Sequence, residues 1–165
     1  MDELLKSVTI ICDTREQKND HITSYFDSKK IPWVRSKLDF GDYSYYIPRN
    51  EELGIPRDLY FSKEIMIERK GSLEELAGNV TKERDRIKKE LALAPPNKIM
   101  VIENATYADM INGNYKSEYS AKSYYGTIHS FWHEFNMPII FMPDSRYTGM
   151  FIRGYFQYHF RNKVK

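Results

Sequence analysis

The stretch Ile65, Met66, Ile67, Glu68, Arg69, Lys70 limits what this chain can be more than any other. Three apolar residues in a row read as a buried strand, and they run straight into an acid and two bases. Side chains alternate along a strand, so Glu68 and Lys70 share one face and Arg69 points to the other. Gly71 follows, and Ser72, Leu73, Glu74, Glu75 have the capping-box spacing that begins a helix. A carboxylate beside an ammonium on one face suits metal-assisted cleavage of a phosphate. It suits a solvated ion pair at a strand end equally, and the stretch alone leaves both readings open.

The rest of the chain supplies the context. An apolar, β-branched run at 8–12 predicts a buried strand that stops at Asp13, Thr14, Arg15, Glu16. Residues 18–30 have helical spacing, with Ile22, Tyr25 and Phe26 on one side and Pro32 beyond the end. A strand is expected over 33–38. Gly41 and Asp42 then form a tight corner into a third strand ending near Ile47. Residues 48–62 hold two prolines, a glycine and several charges, and read as an elaborated hairpin loop. After the Ser72 cap, Leu73, Leu76, Ala77 and Val80 share a face, with a break expected at Gly78–Asn79. A charged helix is expected over 82–94, closed by Pro95 and Pro96. Strands at 98–102 and 139–142 alternate with a short helix at 105–111 and a longer one striped by Ala121, Tyr124, Tyr125, Ile128, Trp132 and Phe135. The last helix, 147–161, is expected to turn Phe151, Tyr155 and Tyr158 inward. Strands that alternate with helices predict crossover connections, and the consecutive early strands predict an antiparallel edge. The fold class is therefore α/β, a mixed central sheet flanked by helices on both faces.

Composition narrows the function classes. At 165 residues the chain fits one domain with a full core. No stretch approaches the ~18 consecutive apolar residues of a membrane span, and the N-terminus lacks a signal-peptide pattern. The single cysteine, Cys12, excludes an internal disulfide framework and a cysteine-based zinc site, and points to a reducing cytoplasm. A net charge of +2 says little about nucleic acid, so clustering of bases matters more. Lys82, Arg84, Arg86, Lys88 and Lys89 do cluster, interleaved with Glu83, Asp85 and Glu90. That pattern fits a solvated helix with i,i+4 ion pairs, or phosphate contacts by Arg84, Arg86 and Lys88, with Arg35 and Lys37 as an extension. His129 and His133 share a helix face without a third ligand and read as packed or surface residues. The late aromatics fit core or interface packing before base stacking.

Asp13, Glu16, Asp42 and Glu68 all fall at or near strand ends, with Lys70 beside the last. Carboxylates of this kind suit Mg²⁺, which retains waters and bridges to phosphate oxygens. Asp13-Thr14-Arg15-Glu16, then Gly41-Asp42-Tyr43, then Ile67-Glu68-Arg69-Lys70 resemble the signature of the XPF-type structure-specific endonuclease domain, a branch of the restriction-endonuclease-like PD-(D/E)XK superfamily. Glu74 stands where that pattern usually has Asp. Residues 84–90 resemble the family's arginine-rich helix, and 135–141 its late helix-to-strand passage, so the resemblance covers nearly the whole chain.

The resemblance implies a restriction-endonuclease-like fold over 1–165 and Mg²⁺-dependent hydrolysis of DNA phosphodiesters at forks, flaps and recombination junctions, with Mn²⁺ able to substitute. It implies that Asp42, Glu68, the backbone carbonyl of Arg69 and the additional acid Asp13 serve the metal, and that Lys70 is the catalytic lysine. Glu16, Arg15 and Glu74 are implied as supporting residues. Family members dimerise through the later helices, which implies a homodimer or heterodimer here. Residues 48–62 lengthen the usual gap between Asp42 and Glu68, and the helix-hairpin-helix modules of larger relatives are not in this sequence. Stand-alone domains of this kind imply a prokaryotic or phage-infected cell. Two rivals accompany this reading: a less selective nuclease of the superfamily, and a non-catalytic DNA-binding or dimerisation subunit.

Overall fold

Where the sequence runs apolar and β-branched, the chain is extended. The computed structural model describes residues Met1–Lys165. A short helix α1 (Asp2–Lys6) leads into β1 (Thr9–Cys12), followed by α2 (Asp20–Ser28), β2 (Trp33–Arg35) and β3 (Tyr43–Ile47). Next come β4 (Leu59–Tyr60), β5 (Ile65–Lys70), α3 (Leu73–Lys82) and α4 (Arg84–Leu93). The chain ends with β6 (Asn97–Glu103), α5 (Tyr107–Ile111), α6 (Ala121–Phe135), β7 (Ile139–Met142) and α7 (Thr148–Lys163). The seven strands form one mixed sheet in the order β2-β1-β3-β5-β6-β7, with β4 added to β3. Every residue of β1 is buried, as are the last six of β6. Strands covered on both faces are what a sheet between helical layers requires.

The chain divides into two compact units, Met1–Met66 with Arg146–Lys165, and Ile67–Ser145. In the first unit β1 pairs parallel with β2 and antiparallel with β3, Cys12 lying opposite both Arg35 and Tyr43. The antiparallel pairing expected of the early strands is β1 with β3 and β3 with β4, whereas the edge strand β2 is parallel and does not pair with β3. The α2 crossover delivers β2 parallel to β1, and the two strands flank β1 rather than each other. Residues 48–62 are more than a loop, because Leu59–Tyr60 pairs antiparallel with β3 and Glu51–Leu53 makes a 3₁₀ turn. Helices α2 and α7 pack closely enough that a Cβ on Gly149 would sit 2.6 Å from the Tyr25 ring. The unit's core gathers Tyr45, Phe61, Phe156 and Phe160, with Tyr45 and Phe61 stacked at 4.6 Å.

In the second unit β6 and β7 run parallel, and α3 is continuous through Gly78 and Asn79. The expected break at those residues is corrected. Burial of Leu73, Leu76, Ala77 and Val80 outweighs the ~1 kcal/mol that a mid-helix glycine costs. The chain breaks instead at Glu83, whose φ of −138° is not helical. Two aromatic stripes are also re-phased. On α6 the buried residues are Tyr124, Thr127, Ile128 and Phe131, while Tyr125 and Trp132 are exposed. On α7, in the first unit, Ile152, Phe156 and Phe160 face the core, and Tyr158 faces solvent.

Candidate active site

In the first unit the acids sit where β1 and β3 meet. The backbone N–H of Asp13 donates to the carbonyl of Asp42 at 2.8 Å, which fixes the two strand ends against each other. Gly41, at φ +76°, makes the corner that places Asp42 there. Asp13 is buried and both of its carboxylate oxygens are engaged. One oxygen accepts from the Leu38 N–H at 2.8 Å, the other from the Arg15 backbone N–H at 3.1 Å and from Arg15 Nε at 2.8 Å. Burial would raise its pKa, but the bonds from Arg15 and Leu38 outweigh burial and hold the carboxyl below its ordinary range. Arg15 also reaches the Leu38 carbonyl at 2.9 Å. Asp13 and Arg15 thus clamp the chain around the Asp42 corner.

That depressed value gives a signed expectation. A carboxyl whose folded pKa lies below its unfolded value, ~3.9, stabilises the fold above that value. The contribution is lost as pH falls through the folded pKa. Asp13→Asn is expected to lose about 1–3 kcal/mol at pH 7 by leaving buried N–H groups with one fewer acceptor. The gap in urea midpoint between wild type and variant should narrow at pH 3. An equal gap at both pH values would contradict the assignment.

Behind this clamp lies a polar cluster that the spacing of residues did not announce. Buried Asn19 donates to the Tyr43 hydroxyl at 3.0 Å and to Cys12 Sγ at 3.2 Å, and accepts from Arg35 at 3.2 Å. Burial, then the neighbouring Glu16 carboxylate, pushes the Tyr43 phenol far up, so it stays a donor and bonds Glu16. Burial also raises the Cys12 thiol, against the opposing Arg35 charge. Glu16 and Arg35 are held by this cluster, Arg35 through Asn19, Cys12 and the Glu16 carbonyl.

In the second unit the alternation of β5 sorts its charged end. Lys70 Nζ lies 3.3 Å from Glu68 Oε1, with the side chains 14% and 25% exposed, so the pair is reachable without being fully solvated. Arg69 points the other way and is buried against Glu103 at 2.6 Å. Glu103 ends β6 as Glu68 nears the end of β5, an acid closing an apolar run, and that repetition is the signal by which the sequence could have shown it. Glu75 makes half a capping box. Its N–H donates to Ser72 Oγ at 3.1 Å, but its carboxylate accepts from the Gly71 N–H at 2.7 Å. Glu74 accepts from the Lys116 backbone N–H at 2.8 Å, a bond that lowers its pKa despite some desolvation.

The basic helix α4 is exposed on nearly all sides, Leu91 alone being buried. Arg86 pairs with Glu83 and, at 3.3 Å, with Glu90. Lys88 lies 3.9 Å from Glu134, and Arg84 donates to Thr127 Oγ1 at 3.4 Å. His129 accepts or donates at the Tyr107 hydroxyl, 2.9 Å away, and packs on Tyr125, as a surface histidine does. No three His, Cys, Asp or Glu side chains gather as a metal-holding group. No helix is long and apolar enough to cross a membrane.

The chain thus combines a mixed sheet, a clamped Asp42 corner in its first unit and a Glu68–Lys70 pair in its second, and its family follows from comparison with known proteins. Two comparisons bear on this directly. The ERCC4 domain pattern matches residues 12–154, so the chain belongs to the ERCC4-domain family. XPF from Aeropyrum pernix superposes with a TM-score of 0.66 at 15% identity, over 95% of this chain and 64% of that one. XPF from Aeropyrum pernix in complex with DNA gives 0.66 at 17%, over 93% of this chain and 66% of that one. This chain therefore spans about two thirds of the length of those structures. No curated protein sequence matches it.

Proposed function

We propose that the protein is a metal-dependent DNA endonuclease that cuts phosphodiester bonds in branched DNA. The observation that carries this reading is the half-buried Glu68–Lys70 pair on one face of β5, within an ERCC4 domain that also keeps Gly41 and Asp42. A hard cation such as Mg²⁺ needs only one or two carboxylates, with waters and phosphate oxygens completing its shell. Asp42 and Glu68 offer that oxygen chemistry, and the buried, raised thiol of Cys12 does not compete. In this reading Asp42, Glu68 and the Arg69 carbonyl would hold Mg²⁺ or Mn²⁺. When bound, the cation would supply Lewis-acid charge at the phosphate and a readily deprotonated water.

The protein's own groups do the rest. Lys70, steered by Glu68, places a positive charge where a scissile phosphate accumulates negative charge. The Arg69 side chain, tied to Glu103, holds the end of β5 so that Glu68 and Lys70 keep their common face. Asp13 is a positioning residue in this reading, because its oxygens already serve Leu38 and Arg15; Glu16 belongs to the Tyr43 cluster. Arg84, Arg86 and Lys88 contact phosphates by exchanging their present partners, which orients the duplex without reading bases. The DNA-bound state of the Aeropyrum pernix protein supports DNA as the substrate. A dimer through the outer face of α6, where Tyr125 and Trp132 are exposed, accords with this reading.

The test is a panel of linear duplex, flap, fork and four-way DNA, each incubated with protein and Mg²⁺ or Mn²⁺. Cleavage of the branched forms well ahead of linear duplex is expected. Equal cleavage of linear duplex would leave a nuclease without branch selectivity. Binding without cleavage of any substrate would favour a non-catalytic subunit.

A further inference from the structure

β5 ends on Lys70, and two other elements grip the residue that follows. The Gly71 N–H donates to the Glu75 carboxylate at 2.7 Å, and the Gly71 carbonyl accepts from Asn104 Nδ2 at 3.0 Å. These groups belong to successive planar peptide units, and the first unit contains the Lys70 carbonyl. Fixing both planes leaves the backbone that carries the Lys70 side chain little freedom. Each grip has a firm base. Glu75 lies in the first turn of α3, its own N–H on Ser72 Oγ at 3.1 Å, with Leu73 and Leu76 of that helix buried. Asn104 follows β6 directly, and its N–H donates to the Met142 carbonyl of β7 at 2.8 Å. The residue before it, Glu103, is the one that holds Arg69. The end of β6 therefore ties down both neighbours of Lys70, Arg69 through its side chain and Gly71 through its carbonyl.

The residue types at both positions follow from these bonds. Asn104 has φ +57°, a left-handed conformation that glycine adopts without steric cost and asparagine at a small one. Backbone geometry alone would favour glycine there, and the side-chain amide is what a glycine would lack. Gly71 shows the reverse. Its φ is not positive, so the backbone does not call for glycine. An added Cβ would instead lie 3.3 Å from Glu75 Oε2 and 3.6 Å from Arg69 Nη1, crowding the carboxylate that accepts the N–H.

We propose that Glu75 and Asn104 are positioning residues for Lys70, acting together through the Gly71 backbone. The inference rests on the nuclease reading above and adds to it what aims the lysine. Lys70 Nζ already lies 3.3 Å from Glu68 Oε1, which sets the direction of the side chain. The grip on Gly71 sets where that side chain starts. A misplacement of about 1 Å at a reacting centre can cost roughly a hundredfold in rate, so backbone freedom here appears in the chemical step and not in binding.

The experiment pairs single-turnover cleavage of a fork substrate in Mg²⁺ with hydrogen exchange of the Gly71 amide, read by NMR on protein carrying isotopically labelled glycine. Glu75→Ala and Asn104→Gly are each expected to slow cleavage roughly 10- to 100-fold, with fork affinity in EDTA within about twofold of wild type. Gly71 exchange should quicken at least about fivefold in both. Glu75→Gln keeps an acceptor oxygen for the Gly71 N–H and is expected to bring both values back near wild type. Glycine at 104 relieves the left-handed backbone while loosening the unfolded chain, so the unfolding temperature of Asn104→Gly should stay within about 3 °C. Its lost rate could then not be laid to unfolding. The double variant should be little slower than the worse single one, because either loss frees the same turn. Wild-type rates in Glu75→Ala and Asn104→Gly, in a protein that cuts branched DNA, would overturn the positioning role alone. So would a Glu75→Gln as slow as Glu75→Ala, or losses of fork affinity that match the losses of rate. A wild-type protein that neither binds nor cuts any DNA would overturn the nuclease reading itself, and Gly71 exchange would still report the grip.

Discussion

Replacing Asp42 by Asn or Glu68 by Gln is expected to lower Mg²⁺-dependent cleavage of a fork substrate by at least about a hundredfold, while DNA affinity in EDTA stays near that of wild type. Each change keeps the side chain's shape and removes its anionic charge. Losing one preorganised electrostatic group at a reacting centre typically costs 10²–10³ in rate, or about 3–4 kcal/mol. Stability should move little. The Glu68–Lys70 pair is partly exposed, and such pairs contribute roughly 0–1 kcal/mol. Single-turnover cleavage, read beside thermal unfolding, separates the two effects. Wild-type rates in both variants would remove Asp42 and Glu68 from the chemistry, and a collapse in unfolding temperature would make them structural.

The second large effect is expected at a residue buried on the other face of β5. Glu103→Ala leaves the Arg69 guanidinium buried without the carboxylate 2.6 Å away, a change that typically costs 3–5 kcal/mol. In a chain of this length that lowers the unfolding temperature by roughly 6–20 °C. The double variant Arg69→Met, Glu103→Leu is expected to recover most of the stability, because an apolar pair of similar volume avoids the desolvation of two charges. It keeps the backbone carbonyl of residue 69, so cleavage should return to within about tenfold of wild type. A shift under 2 °C in Glu103→Ala would show that the pair is not a structural tie.

Much of this arrangement could be read locally. The alternation of β5 already put Glu68 and Lys70 together and turned Arg69 away, because a period of two leaves no other arrangement. Gly41 announced its corner, since positive φ suits glycine. The aromatic helices were harder. Helix α7 carries aromatic residues on both its sides, so the sequence pattern gives two candidate inner faces about half a turn apart. Gly149 against Tyr25 selects Ile152, Phe156 and Phe160 for the core and leaves Tyr158 outside.

By itself, then, the sequence determined where the core strands β1, β3, β5, β6 and β7 lie, the order of the acids and lysine along the chain, and the motifs of an ERCC4 domain, all of which depend on neighbours a few residues apart. It ran β2 three residues past its end at Arg35 and missed β4. Only the tertiary structure decided the partners. Asp13 meets the Leu38 N–H across 25 residues, and Arg69 meets Glu103 across 34. Such pairings follow from which strands lie side by side, and a run of residues carries no record of that. The stretch around Glu68 thus shows the shared face of Glu68 and Lys70 in sequence, and shows what anchors its other face only once β6 is in place.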